Sequence, residues 1–269
     1  MNMEKVDIQG VPETMLQTLF ARAAHSRKPQ HKFYDEKAIE IVERLDYDFS
    51  KAERDPAMSS GVVARTILLD RMVGAFLRQN PEAAVVNIAC GLDTRFYRLD
   101  NGQVRWYNLD LPEVRAVRRR FLEERGRVSV IACSAMDESW AAQIEEAREK
   151  TLVVIEGLSM YLSEADVRKI LSIICGRFEN AEIIMEIMNP FVMRHMKEKS
   201  IEASKARFTW GLSSGKELEN LAPELTWIED VSLVEGMKEL YPVYKVLGGI
   251  RPVRELSNKL AVLEKQAGE

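Results

Sequence analysis

The stretch AAVVNIACGLD, at residues 83–93, decides the predicted fold. Its first eight residues are apolar except for Asn87, and polar and apolar side chains do not alternate along it, a pattern typical of a strand buried on both faces. Gly91 and Asp93 follow the run, where a tight loop is expected after a strand of a parallel sheet. The stretch therefore predicts a central strand with a ligand-binding loop at its carboxyl end.

The segments downstream repeat this pattern. Short runs rich in β-branched residues occur at 104–110, 128–133, 151–156 and 181–187, and helical patterns lie between them at 112–125, 138–149 and 163–177. Residues 226–246 and 258–264 can supply two more strands. Alternating strands and helices predict a doubly wound, mostly parallel, Rossmann-like α/β sheet of seven strands.

The remaining segments predict the helical parts of the chain. Residues 12–24, 36–45 and 60–78 carry apolar residues at helical spacing. We expect residues 1–80 to form an N-terminal helical lid and residues 81–269 to form the core. The stretch 188–222 breaks the alternation after the fifth strand, so we expect it to be a cap insertion over the active edge.

Composition narrows the class of protein. The chain has 269 residues, of which 46% are apolar and 30% charged, as in a globular protein with a sizeable core. Lys and Arg total 38 against 42 Asp and Glu, which argues against a nucleic-acid partner. No run reaches the ~18 apolar residues of a membrane span, and the N-terminus does not resemble a signal peptide. We therefore expect a cytoplasmic protein with no membrane partner.

The cysteines indicate neither disulfides nor a metal site. Cys90, Cys133 and Cys175 are widely separated and odd in number, and none forms a CxxC pair or has a histidine at zinc spacing. Each lies in or beside an apolar segment, where a free cysteine is usually a small core residue. We therefore expect no metal.

Asp110 is the most informative of the residues that end a predicted strand. It closes the second strand, nineteen residues after Gly91, where a carboxylate can accept hydrogen bonds from both hydroxyls of a ribose. Nicotinamide dehydrogenases and methyltransferases that use S-adenosylmethionine share this geometry. A dinucleotide site needs GxGxxG, whereas here Gly91 stands alone and Asp93 would repel a pyrophosphate. The loop favours the methyltransferases, with a surface acid that ends a structural strand as the alternative.

Three motifs resemble those of the leucine carboxyl methyltransferase family, which includes the tetracenomycin-type polyketide O-methyltransferases and the protein phosphatase methyltransferases. They are VVNIACGLDTRFYRL at 85–99, Asp110 with LPEV at 111–114, and IEGLSMYLSEADV at 155–167. Weaker similarity lies around Arg22 and at Ala64-Arg65. The resemblance covers about residues 15 to 190, and it implies a class I methyltransferase fold with S-adenosylmethionine as the cofactor.

The resemblance also implies a set of cofactor-binding residues. They are Arg22, Arg65, Ala89, Gly91, Asp93, Asp110, Leu111, Ser134, Ala135, Glu156 and Gly157. Gly91 corresponds to the loop glycine beneath the methionine portion, and Asp110 to the ribose acid. Ser134 and Ala135 correspond to the adenine edge, where relatives often have an acid. Ala89 stands where many relatives have glycine, so its methyl group is tolerated only if the backbone keeps a negative φ.

Three charged residues complement the methionine portion of the cofactor. By the resemblance, Glu156 faces its amino group, and Arg22 and Arg65 clamp its carboxylate through charge-assisted hydrogen bonds. A solvated helix face is the alternative for Arg22. Arg65 lies within an apolar run and Glu156 ends a buried strand, so each needs a partner of opposite charge.

The acceptor side is less determined by sequence. Tyr161 is predicted to contact the acceptor, with core packing as the alternative, and His195 is the best placed of three histidines, with a surface position as the alternative. Met185, Met188, Met193, Met196, Phe191, Phe208 and Trp210 form either an apolar acceptor pocket or plain core. A carboxylate acceptor needs no general base at neutral pH, whereas a phenol or alcohol does. We assign no catalytic base, and the sequence leaves open whether one is used.

The leading hypothesis is an S-adenosylmethionine-dependent O-methyltransferase that acts on a carboxylate or hydroxyl oxygen of a small molecule. One alternative is methylation of a protein C-terminal carboxyl, against which the short insertion argues. The other is a cofactor-binding protein without turnover. The sequence leaves open the identity of the acceptor and whether the chain forms a homo-oligomer.

Overall fold

The computed structural model describes residues 4–6, 10–145, 150–195 and 207–266. One sheet contains β1 Ala84–Ile88, β2 Arg105–Asp110, β3 Val128–Ala132, β4 Thr151–Ile155, β5 Ala181–Ile187, β6 Thr226–Ser232 and β7 Lys259–Lys265. The strand order is β3-β2-β1-β4-β5-β7-β6. Strands β1 to β5 are parallel, and β7 runs antiparallel to both of its neighbours. The predicted doubly wound, mostly parallel seven-stranded sheet is therefore confirmed.

Helices precede, connect and follow these strands. They are α1 Thr14–Ser26, α2 Glu36–Arg44, α3 Ser50–Glu53, α4 Pro56–Gln79, α5 Arg95–Leu99, α6 Pro112–Phe121, α7 Glu164–Arg177, α8 Pro190–His195, α9 Val234–Leu240, α10 Val243–Leu247 and α11 Arg251–Leu256. Short 3₁₀ helices lie at Val11–Glu13, Glu138–Gln143, Ser159–Tyr161 and Gly215–Asn220. A two-residue strand at Glu4–Lys5 pairs with Leu45–Asp46.

Two sequence predictions of secondary structure need correction. The helix expected over 138–149 is a 3₁₀ helix that ends at Gln143, and residues 146–149 lie outside the described residues. The strand expected within 226–246 stops at Ser232, whose hydroxyl accepts a hydrogen bond from the backbone N–H of Val234 at 3.3 Å. Helix α9 begins there because Glu, Met, Lys and Leu favour a helix once the β-branched run has ended.

Both faces of the sheet are covered, as the unalternating strands predict. All five residues of β1 are buried. Val86 and Ile88 pack in one cluster with residues of α7, whereas Val85 packs in a second cluster with residues of α4. Because helices cover both faces, a ligand can approach such a sheet at the edge formed by the carboxyl ends of its parallel strands. We therefore expect the candidate site at that edge.

The N-terminal helices pack at this edge. Leu16 and Leu19 of α1 share a buried cluster with Leu92, in the loop after β1, and with Val114 of α6. Within the predicted insertion 188–222, residues 196–206 lie outside the described residues. The backbone N–H of Thr209 donates a hydrogen bond of 2.7 Å to the carbonyl of Met160. This part of the insertion therefore contacts the turn that follows β4.

The described ranges contain no helix that is both long and apolar enough to cross a bilayer. The three cysteines are free thiols, with Cys90 and Cys175 buried and Cys133 half-buried.

Candidate active site

A cleft of about 270 Å³ opens where the carboxyl ends of β1, β2, β3 and β4 meet. All eleven residues predicted to bind the cofactor line it, as does Tyr161. The same cleft is also lined by Pro12, Thr14, Met15, Thr18, Asn87, Cys90, Leu92, Leu109, Val114, Cys133, Met136, Leu158 and Leu162. The structure therefore brings together the residues that sequence motifs scatter over more than a hundred positions.

Asp110 and Gly91 form the centre of the cleft. The Asp110 carboxylate accepts hydrogen bonds from the backbone N–H of Gly91 at 2.7 Å and of Leu111 at 2.8 Å. Burial raises the pKa of Asp110, and these two N–H donors oppose that rise. Gly91 has φ +50, and a Cβ placed on it would lie 3.0 Å from Cβ of Met15. The backbone conformation favours glycine here, and the close approach of α1 leaves little room for a side chain.

Ala89 departs from its sequence expectation. Its φ is +54, so the condition that the backbone keeps a negative φ is not met. The turn is held in place by its neighbours, because the N–H of Cys90 donates to the carbonyl of Leu109 at 3.1 Å and the N–H of Asp93 to that of Cys90 at 2.8 Å. Ala89 therefore adopts a left-handed conformation that costs an L-residue roughly 1–2 kcal/mol.

Glu156 has the cationic partners that its buried position predicts. It accepts hydrogen bonds from Nε of Arg65 at 2.7 Å and from Nη2 of Arg95 at 2.8 Å. Burial alone would raise the pKa of Glu156, but the guanidinium groups of Arg65 and Arg95 hold that pKa well below its usual range. Nη1 of Arg65 also donates to Glu186 at 2.7 Å. Glu156 is therefore ionised at neutral pH.

The ion pairs continue from Arg95 to the N-terminal helices. Arg95 donates to Asp70 at 2.9 Å, and Arg98 donates to Asp70 and to Asp35, each at 2.7 Å. Asp35 also accepts from Nε of Arg22 at 3.0 Å. We call these residues, with Arg65, Glu156 and Glu186, the arginine–carboxylate network. Arg22 is only 4% exposed, so the alternative of a solvated helix face is wrong.

Two residues that sequence reasoning missed shape the loop after β1. Arg95 donates to the Asp93 carboxylate at 2.8 Å, and the fully buried Arg118 donates to the carbonyls of Gly91 at 2.6 Å and Asp93 at 3.0 Å. Arg118 lies four residues after Val114 and on the same buried face of α6. That helical spacing was a signal in the sequence, because an arginine on a buried face needs partners.

A second cavity, of about 110 Å³, adjoins the cleft. The two share Thr14, Thr18, Arg65, Gly157 and Tyr161. The second cavity is also lined by Gln17, Ala57, Met58, Gly61, Val62, Met160, Glu186, Met188, Phe208, Leu233 and Asn258. The rings of Tyr161 and Phe208 lie 5.4 Å apart. The second cavity is therefore mainly apolar, and Tyr161 stands at its junction with the cleft.

The structure does not bring His195 to either cavity. Its side chain is exposed, its ring stacks on that of Phe191 at 4.2 Å, and its Nδ1 lies 2.9 Å from the Phe191 carbonyl. Of the described residues that line the two cavities, none is a histidine or a lysine. The chemistry near Tyr161 therefore has no imidazole among these residues.

The strand order, the antiparallel β7 and the acid that ends β2 define a Rossmann-like, class I methyltransferase fold. The structure matches that of a candidate methyltransferase from Thermobifida fusca YX with a TM-score of 0.64 and 14% sequence identity over 94% of each chain. The family model of leucine carboxyl methyltransferase matches residues 15–175.

Two curated relatives share more of the sequence. The chain is 34% identical to the tetracenomycin polyketide synthesis O-methyltransferase TcmP of Streptomyces glaucescens, over 94% of this chain and 95% of that protein. It is 30% identical to the S-adenosyl-L-methionine-dependent methyltransferase dpfgK of Gibberella zeae, over 88% of this chain and 87% of that protein. The chain belongs to the leucine carboxyl methyltransferase family. It is a methyltransferase that uses S-adenosylmethionine.

Proposed function

We propose that this enzyme transfers a methyl group to an oxygen of a small molecule that is already ionised at neutral pH, in the first place a carboxylate. One observation carries the choice of acceptor. The carboxylates described around the two cavities, those of Asp93, Asp110, Glu156 and Glu186, all accept hydrogen bonds from arginine side chains or backbone N–H groups. Because each of these carboxylates is already engaged in hydrogen bonds, they are poor candidates for a general base. An acceptor that needs no deprotonation is therefore favoured.

The cofactor roles belong to this proposal, and the chemistry of the residues supports them. Each Asp110 oxygen accepts one backbone N–H, which leaves lone pairs for the two ribose hydroxyls. The ionised carboxylate of Glu156 suits the ammonium group. Arg65 and Arg22 suit the cofactor carboxylate, since a guanidinium has five N–H donors and each arginine uses only some of them on Glu156, Glu186, Asp35 and Leu92.

The adenine end is assigned to the loop after β3. Ser134 and Ala135 line the cleft beside Leu111, and the Ser134 hydroxyl accepts a hydrogen bond from the backbone N–H of Met136 at 3.3 Å. Ser134 and Ala135 carry no charge with which to bind the adenine amino group. We therefore assign the adenine contact to apolar packing and to the Ser134 hydroxyl.

The residues around the cleft are proposed to contribute to catalysis by positioning the acceptor and the cofactor. The bound cofactor supplies an activated methyl group for an in-line displacement, so orientation of the acceptor oxygen accounts for most of the acceleration. Thr14, Met15 and Thr18 of α1 line the cleft, so α1 shields the reacting atoms from water. This supports the proposal that residues 1–80 act as a lid. Tyr161 is proposed to orient the acceptor, because it lines both cavities.

A labelling experiment tests the proposal. The purified protein is incubated with methyl-labelled S-adenosylmethionine and separate pools of small carboxylic acids and phenols. We expect label in a base-labile methyl ester, which releases methanol in alkali, whereas a phenol ether would hold its label. The relative TcmP is named as an O-methyltransferase of polyketide synthesis, which supports a small-molecule acceptor. Label on a protein C-terminus would instead support the alternative activity, methylation of a protein C-terminal carboxyl group. Binding of S-adenosylhomocysteine without transfer to any pool would overturn the proposal.

A further inference from the structure

Gln17, which lines the second cavity, carries a polar atom that has no partner among the described residues. This side chain of α1 lines the cavity and is only 3% exposed. Its Oε1 atom is buried and has no hydrogen-bond partner among the described residues. Buried polar atoms are nearly always hydrogen-bonded in folded proteins, so an orphaned acceptor on a residue that lines a cavity calls for a donor that the described residues do not supply.

The orientation of the Gln17 amide is set by a hydrogen-bonded relay. Nε2 of Gln17 donates to the Tyr47 hydroxyl at 3.3 Å, and that hydroxyl donates to Oε1 of Glu13 at 2.7 Å. Burial and the bond to Glu13 raise the pKa of Tyr47 to about 12, so the phenol keeps its proton at neutral pH. Because that proton points to Glu13, the Tyr47 oxygen can only accept from Gln17. The amide nitrogen therefore faces Tyr47 and its oxygen stays available.

The rest of the second cavity offers an apolar surface. Met58, Val62, Met160 and Leu233 line it, together with the neighbouring rings of Tyr161 and Phe208. Thioether, aliphatic and aromatic groups favour an apolar ligand body and do not compete for a hydrogen bond from it. Glu186, the carboxylate in this wall, is already bound by Arg65 and by the backbone N–H of Gly157 at 2.8 Å. Among the described residues of this wall, Gln17 carries a buried acceptor atom that has no hydrogen-bond partner in the protein.

We propose that Gln17 Oε1 accepts a hydrogen bond from an O–H or N–H group of the methyl acceptor, a group separate from the oxygen that is methylated. The substrate class is then a predominantly apolar acid with a second, uncharged donor. This inference rests on the proposed function and adds the group by which the enzyme selects among acids. A site built to pair with such a donor rejects the analogue that lacks it, because the acceptor oxygen would stay unpaired.

Matched probes test this selection. The probes are 2-naphthoic acid and its ring-hydroxylated isomers, assayed as methyl acceptors with labelled S-adenosylmethionine. We expect at least one hydroxylated isomer to exceed the parent acid in kcat/KM by about tenfold or more. Gln17→Met keeps the length of the side chain but removes the amide, and it should abolish this preference by lowering kcat/KM for the hydroxylated isomer alone. Gln17→Glu retains an acceptor oxygen and should keep part of the preference.

Controls separate this inference from the proposed function. Gln79→Met changes an exposed glutamine at the end of α4 and should leave every ratio unchanged. Binding of S-adenosylhomocysteine to each variant shows that it is folded. Equal methylation of the parent and hydroxylated acids, or a preference that persists in Gln17→Met, would overturn the inference while the proposed function stands. Transfer to none of the probes overturns the assigned substrate class, and transfer to no oxygen acceptor at all overturns the proposed function as well.

Discussion

The backbone N–H of Gly91 donates a hydrogen bond of 2.7 Å to Oδ2 of Asp110. This bond joins the loop after β1 to the end of β2, so Gly91 and the Asp110 carboxylate form one unit. Arg118 stabilises the same loop, because its Nη1 donates a hydrogen bond of 2.6 Å to the carbonyl of Gly91. The position of the carboxylate is therefore fixed before any ligand arrives, which reduces the cost of ordering the site on binding.

Asp110 should account for much of the affinity for the cofactor. Asp110→Ala removes both ribose acceptors, and because a hydrogen bond to a charged group contributes about 1.5–3 kcal/mol, we expect affinity for S-adenosylhomocysteine to fall by roughly 100-fold or more. Asp110→Asn keeps one acceptor oxygen and should lose less. Titration calorimetry measures both, with NAD as a ligand that should not bind. Asp100→Asn, in an exposed loop, is the control. Unchanged binding in both Asp110→Ala and Glu156→Ala would exclude this site.

Glu156 should matter for both folding and cofactor binding. Glu156→Gln leaves the buried guanidinium groups of Arg65 and Arg95 without their common charge, and breaking a buried ion pair from one side costs about 3–5 kcal/mol. Denaturant unfolding checks the loss of stability. Glu186→Gln also removes a carboxylate from Arg65 and should destabilise the fold, but it should lower cofactor affinity much less than Glu156→Gln does. Equal losses of affinity in the two variants would assign Glu156 a purely structural role.

His25 should make stability depend on pH. Burial lowers the pKa of His25 from 6.5 to about 4, and its Nε2 accepts a hydrogen bond of 2.8 Å from the backbone N–H of Lys32, which requires a neutral ring. A depressed histidine pKa stabilises the fold fully above pH 6.5, and this contribution is lost as the pH falls towards 4, because only the unfolded chain then binds the proton. The free energy of unfolding should therefore fall below pH 6.5 by up to about 1.4 kcal/mol per pH unit.

Two variants check the origin of that slope. His25→Gln can still accept from Lys32 but does not titrate, so its stability should change much less between pH 7 and pH 5. His195→Gln, at an exposed site on α8, should keep the slope of the original chain. A slope that survives in His25→Gln would assign the pH dependence to other groups.

The sheet and the residues that end its strands in the cleft could be predicted from local sequence, whereas the other cleft residues came from the family resemblance. Apolar runs without alternation identify strands buried on both faces, and the residues that end parallel strands must meet at one edge. Gly91, Asp110 and Glu156 were identifiable for that reason. The predicted strand over 226–246 was wrong after Ser232, because the apolar residues that follow suit a helix equally well.

The arginine–carboxylate network could not be predicted in the same way. Arg98 pairs with Asp35 across 63 positions, and Arg65 with Glu186 across 121. Such pairs depend on how helices pack on the sheet, and helical spacing shows only that a buried charge needs a partner. The availability of Gln17 Oε1 likewise depends on where Tyr47 lies, thirty residues away. Side chains that meet through tertiary packing therefore limit what sequence alone reveals about the site.

Ala89 offers a test of strain in the cofactor loop. At φ +54 its methyl group disfavours the observed backbone, and glycine adopts this conformation readily. Against this gain stand the greater entropy of glycine in the unfolded chain and the loss of one methyl group packed at the edge of the core. The strain of roughly 1–2 kcal/mol is set against an entropic loss of about 0.4–1 kcal/mol and the loss of a partly buried methyl group, so we expect Ala89→Gly to raise the free energy of unfolding by no more than about 0.5 kcal/mol. Ala84→Gly, within β1 and without a positive φ, should instead destabilise the fold. Denaturant unfolding of both variants measures the difference, and calorimetry with S-adenosylhomocysteine should show no loss of affinity in Ala89→Gly. If both glycine variants are destabilised equally, Ala89 is not strained and the loop owes its shape to Arg118 and the bonds of Cys90 alone.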